Sequence, residues 1–92
     1  MQKLRVHSKI IGRVQGIGYR WFVIDMAKEF NITGWVKNHP DGSVELEAQG
    51  DKEDLKKFEQ VLKTEHSMAS VTEIKSNPLP SEKNEKDFNI LY

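Results

Sequence analysis

Residues 12–20 read GRVQGIGYR, and the hydrophobic pattern changes period across them. Before this stretch Leu4, Val6 and Ile10 alternate with Arg5, His7 and Lys9, a period of two that predicts a half-buried strand ending at Gly12. After it Phe22, Val23, Met26, Ala27 and Phe30 recur at spacings of three and four, the apolar stripe of an amphipathic helix. Asn31 follows the last of them, and asparagine often replaces glycine where a helix ends in the left-handed conformation. The stretch is therefore a glycine-rich turn from strand to helix.

Outward from this turn the rest of the chain falls into order. Ile32 to Asn38 and Ser43 to Gln49 flank HPDG, where Pro40, Asp41 and Gly42 provide a preset φ, a side chain that bonds its own backbone and a tolerated positive φ. This predicts a hairpin. Val44, Leu46 and Ala48 alternate with Ser43, Glu45, Glu47 and Gln49, so its second strand has one dry face and one face of solvated glutamates. Asp51 is the expected N-cap of a second helix, with Glu53 and Asp54 in the first turn, where the dipole favours anions. Leu55, Phe58, Val61 and Leu62 form its stripe, which ends near Glu65 or His66. Val71 to Ile74 read as a fourth strand closed by Pro78 and Pro80, SEKNEK as a charged surface loop, and Phe88, Ile90 and Tyr92 as a short last strand. The order β-α-β-β-α-β, with the terminal strand added, predicts an α+β ferredoxin-like split βαβ fold: an antiparallel sheet with two helices on one face.

Composition narrows the possibilities. A chain of 92 residues suits one domain over positions 1–92. The absence of cysteine excludes a disulfide framework, a thiolate nucleophile and an iron-sulfur cluster, and points to a reducing, cytoplasmic home. No apolar run is long enough to span or anchor to a membrane. Fourteen basic residues balance fourteen acidic ones, so the diffuse positive field of a nonspecific nucleic-acid binder is lacking. A local anion site remains compatible with that balance.

The known phosphate loops do not match. GxGxxG would need glycine at 16, 18 and 21, and position 21 is Trp21; the Walker pattern from Gly12 would need Gly and Lys where Ile17 and Gly18 stand. The general physics survives: a glycine-rich turn entering a helix can direct successive backbone N–H groups at one anion. Arg20 falls in or just before the first turn, where the dipole disfavours a cation by about 0.3–1 kcal/mol at an exposed site. An anion held between loop and guanidinium removes that mismatch. Asn38, at a strand end beside the turn, is by itself ordinary turn chemistry.

Taken together, GRVQGIGYR and GWVKNHPDGSVELEAQG, residues 34–50, resemble the two signatures of the acylphosphatase family. The first differs from the family's GRVQGV-type loop mainly at Ile17. Asn31 stands where the family more often has glycine, and residues 65–87 carry no diagnostic motif. The resemblance implies hydrolysis of a carboxylic-phosphoric anhydride to a carboxylate and inorganic phosphate. It assigns Arg20 to phosphate binding, Asn38 to positioning the attacking water, and the backbone of Gln15, Gly16, Ile17, Gly18 and Tyr19 to a phosphate cradle. The expected partners are a small acyl phosphate and inorganic phosphate, as product and inhibitor, with no cofactor, no metal, no nucleic acid and no membrane, acting as a monomer. His7, His39 and His66 lack ligand spacing and read as surface or strand histidines.

Two other classes fit the same fold. An RNA-binding module would need a basic sheet face and an RNP1-like aromatic run, which GYRWFV does not match. A noncatalytic anion sensor, or a domain cut from a larger maturation protein, would share the loop; the initiating methionine and the short length favour a free-standing enzyme.

Overall fold

The computed structural model describes residues 3–92, which run β1 (Lys3–Arg13), α1 (Tyr19–Glu29), β2 (Thr33–Asn38), β3 (Val44–Asp51), α2 (Lys52–Thr64), β4 (Ser70–Leu79) and β5 (Phe88–Ile90). One sheet holds all five strands in the order β4-β1-β3-β2-β5. The first four pair antiparallel, as the ferredoxin-like plan requires. β5 instead lies parallel to β2, with Phe88 opposite Gly34 and Ile90 opposite Val36, so the sheet is mixed where the sequence reading makes it wholly antiparallel. Alternation shows which residues of a strand face the core; it carries no sign of the strand's direction.

The apolar stripes do what their periods predict. Val23, Ile24 and Ala27 of α1 and Leu55, Phe58 and Leu62 of α2 join Ile10, Val36, Val44, Leu46 and Ala48 in one buried cluster, so both helices cover the same face of the sheet. Full burial of each large aliphatic or aromatic side chain contributes about 1.5–3 kcal/mol. Helix α1 closes as its sequence predicts. Asn31 sits at φ 58°, Ile32 N–H donates to Ala27 O at 2.8 Å and Asn31 N–H to Lys28 O at 3.4 Å, the pair of bonds that ends a helix on a left-handed residue. Its start lies three residues before Phe22, at the buried Tyr19.

Three features depart from expectation. β4 is ten residues long and passes through Pro78, which an edge strand tolerates; it pairs with β1 through a bulge at Ile11/Gly12, and β1 runs one residue past its expected end at Gly12, to Arg13. Asp51 occupies the N-cap of α2 in an extended conformation but makes no side-chain capping bond. The glutamates of β3 are paired. On the face away from the helices Arg5 is only 3% exposed; its Nε donates to Glu47 at 2.9 Å and its Nη1 to Glu85 at 2.7 Å, while Glu45 meets His7 at 2.7 Å. Gln49 fastens the SEKNEK segment from below, accepting from Glu82 N–H at 2.7 Å and donating to Glu82 O at 2.9 Å. Burial alone would lower the pKa of Arg5 and raise that of Glu85. The hydrogen bonds between them reverse both directions, so each is held in its charged form. Among the described residues no helix is long and apolar enough to cross a membrane.

Candidate active site

Residues 14–18 join β1 to α1. Gly16 and Gly18 adopt φ of 77° and 75°, where any Cβ costs about 1–2 kcal/mol, although a Cβ at either would meet nothing within 4 Å. The requirement is therefore one of backbone conformation and not of space. Gly18 is the N-cap of α1; no side chain caps the helix and its first turn holds no acidic residue. The helical bonding begins with Phe22 N–H donating to Gly18 O at 3.2 Å, and among the described residues the amides of residues 15–21 donate to no protein acceptor. Such a run of N–H groups at a helix N-terminus is a local positive potential.

The register of the sheet brings the hairpin to this turn. Val44 of β3 lies opposite Ile10 of β1 on one side and Asn38 of β2 on the other, so Asn38 ends its strand at the sheet edge from which the turn departs. Asn38, Arg20, Gly16, Gly18, Tyr19, Val14 and Trp21 line one cavity of about 170 Å³. The Oδ1 atom of Asn38 is buried and has no hydrogen-bond partner among the described residues, which for an amide oxygen costs about 1–3 kcal/mol unless a donor arrives. The Arg20 guanidinium stacks 5.3 Å from the ring centre of Tyr92.

Not every residue of the turn meets the cavity. The Gln15 side chain turns the other way and donates from Nε2 to both His39 O and Ser43 O at 2.8 Å, which ties the turn to the two ends of the hairpin loop. Ile17 packs on the core. The Tyr19 ring is buried and its hydroxyl donates to Leu62 O at 2.7 Å, joining α1 to α2; burial pushes this phenol well above the ordinary range, so it stays neutral. Three residues of the site escape a reading from spacing. Val14 follows the strand without a pattern; Tyr92 reads from its spacing as the end of the last strand, but β5 stops at Ile90 and its ring meets Arg20 instead; Trp21 lies off the apolar stripe of α1, which was its one signal.

The hairpin that carries Asn38 is stiffened by its own polar groups. His39 N–H donates to Ser43 O at 2.9 Å, and Ser43 N–H and Oγ donate to Asp41 at 2.9 and 2.5 Å. The Lys9 ammonium at 2.5 Å, followed by the Ser43 bonds, holds the Asp41 carboxyl far below its usual range. Among the described residues no group of three or more His, Asp or Glu side chains is placed to hold a metal ion.

The fold and its cavity define a split βαβ domain with an uncapped, glycine-lined helix entry beside an arginine and a buried amide oxygen. Comparison with known proteins resolves the class further. The family model described as acylphosphatase matches residues 6–90. The acylphosphatase of Geobacillus kaustophilus is 41% identical over 88 residues, covering 96% of this chain and 94% of the relative. The crystal structure of acylphosphatase from Bacillus subtilis superposes with a TM-score of 0.91 at 36% identity, over 97% of this chain and 99% of that one. Full-length HypF, in a phosphate- and nucleotide-bound crystal form, contains a similar unit: TM-score 0.85 at 29% identity, covering 99% of this chain but 12% of HypF. The chain belongs to the acylphosphatase family of hydrolases.

Proposed function

We propose that this chain hydrolyses acyl phosphates to a carboxylate and inorganic phosphate, with the phosphoryl group held between the 14–18 turn and Arg20. One observation carries the reading: Arg20, Asn38 with its buried amide oxygen, and Gly16, Gly18, Tyr19 and Trp21, whose amides find no protein acceptor among the described residues, line a single cavity. Phosphoryl transfer passes through a loose transition state whose charge lies on the phosphoryl oxygens. Backbone N–H groups and the planar fork of Arg20 stabilise that charge without reorganising. Asn38 Oδ1 accepts a hydrogen bond from the attacking water and aligns it with the leaving oxygen. An amide is no base, so the water's proton passes to an oxygen of the substrate's own phosphate. The new bond joins water oxygen to phosphorus; the bond to the acyl oxygen breaks, and the carboxylate leaves with its electron pair. A leaving group whose conjugate acid has a pKa near 4 departs without a general acid. The reading therefore calls for no metal and no cofactor.

The test is turnover of benzoyl phosphate by protein treated with EDTA. The expected result is hydrolysis that chelation leaves intact and that inorganic phosphate inhibits competitively. Activity lost to EDTA and restored by magnesium would overturn the mechanism, and no turnover in either condition would overturn the activity itself.

A further inference from the structure

The contacts described so far grip phosphate and leave the acyl end of a substrate unread. Trp21 is the one lining residue whose position suits that end. The cavity holds about 170 Å³. That is well below the volume of a pocket that encloses a whole small ligand, about 300–1,000 Å³, so the phosphoryl end takes the enclosed space. The acyl carbon and everything beyond it must then lie at the mouth. Of the residues there, Gly16 and Gly18 have no side chain, Val14 and Tyr19 are each 1% exposed, and Arg20 and Asn38 are polar. Trp21 alone of the lining residues is large, apolar and exposed, at 62%; Tyr92, exposed beside them, already has the Arg20 guanidinium over its ring.

Its ring is also unclaimed. Trp35, the other tryptophan, has Lys37 over its ring at 5.8 Å, whereas among the described residues no aromatic ring or cation stacks on Trp21. Trp21 does not fall on the buried stripe of α1, so helix packing gives no reason for an indole at this position. An indole left in water beside an anion pocket gains free energy by covering apolar surface of whatever the pocket holds.

We propose that Trp21 is the platform for the acyl group and makes the site selective for acyl phosphates whose acyl part is apolar and ring-bearing over those with a small acyl group. The proposal rests on the acyl phosphate reading above. A planar ring bonded to the anhydride carbonyl stacks on the indole while the phosphoryl group stays with Arg20; an acetyl group is too short to cover the indole face. An aromatic pair formed on binding is lost with Trp21→Ala, an effect of about tenfold.

The experiment compares benzoyl phosphate with acetyl phosphate. Wild-type protein is expected to give the larger kcat/KM with benzoyl phosphate, and Trp21→Ala to lower the benzoyl-to-acetyl ratio about tenfold, chiefly through the KM for benzoyl phosphate. Trp21→Phe, which keeps a ring, should retain most of the ratio. In a Trp35→Phe background, benzylphosphonate should change the remaining indole emission more than methylphosphonate does. If Trp21→Ala alters both substrates by the same factor, or neither, the proposal is overturned while the acyl phosphate reading stands. If wild-type protein turns over neither substrate, that reading falls and takes the proposal with it.

Discussion

The fold crosses from strand to helix twice on the same face of one sheet, and the two crossings are built in opposite ways. At the second, β3 passes into α2 with no intervening loop; Asp51 is the N-cap and Glu53 and Asp54 fill the first turn. At the first, residues 14–18 intervene, Gly18 takes the cap position in a left-handed conformation, no acid follows, and Arg20 stands inside the first turn. The second junction carries its own anions to the positive end of the helix, as an ordinary helix does. The first withholds them and adds a cation. By the dipole argument that choice costs stability locally, and under the proposed function the anion that offsets it is the phosphoryl group of the substrate.

The sharpest way to break this contrast is Arg20→Ala. If the first junction is a phosphoryl clamp, kcat/KM for benzoyl phosphate should fall by about 10³, with KM raised and kcat lowered, because the guanidinium serves both bound substrate and transition state. Retention of activity within tenfold would reduce Arg20 to a surface charge. The hairpin has no counterpart at the second junction, and its contribution is the next largest. Asn38→Ala should lower kcat by about a hundredfold or more with a smaller effect on KM, since a group that only aligns water acts after binding. Full turnover by that variant would remove its role, and the orphaned Oδ1 would need another explanation.

What the sequence disclosed follows the same division. The change of period around GRVQGIGYR, the left-handed Asn31 and the HPDG turn are local, and a local pattern is enough to place β1, α1 and the hairpin. β4 was legible only from Val71 to Ile74 of Ser70–Leu79 because an edge strand is held by backbone pairing with β1, and its exposed side chains have no reason to alternate. The burial of Arg5 depends on Glu85, eighty residues away, and no window along the chain contains both. The site shows the same limit. Arg20 stands out locally as a cation in the wrong turn of a helix, but the approach of Asn38 depends on β3 lying between β1 and β2, with Val44 pairing to both. Trp21 sits one residue from Arg20, and spacing marks it only as a residue off the stripe.

Smaller effects test the backbone of the two junctions. Gly18→Ala forces a Cβ into a left-handed cap and should cost about 1–2 kcal/mol, or roughly 4–8 °C in Tm for each kcal/mol, while lowering the gain in Tm on adding phosphate. No loss of Tm would mean that the cap relaxes without strain and that the glycine is not required by φ.

The smallest change belongs to the second junction and has the most to say about the contrast. Asp51 makes no capping hydrogen bond, so Asp51→Ala removes only its charge from the positive end of α2. That is worth about 0.3–1 kcal/mol at low salt, and the loss should shrink as ionic strength rises. Arg20→Ala removes a charge of the opposite sign from the corresponding end of α1, so by the same dipole argument it should hold or raise Tm even as kcat/KM falls. Thermal melts of the two variants in low salt without phosphate therefore have opposite expected signs. If both variants lose stability alike, Arg20 is a structural residue of its helix, and the first junction differs from the second in composition only.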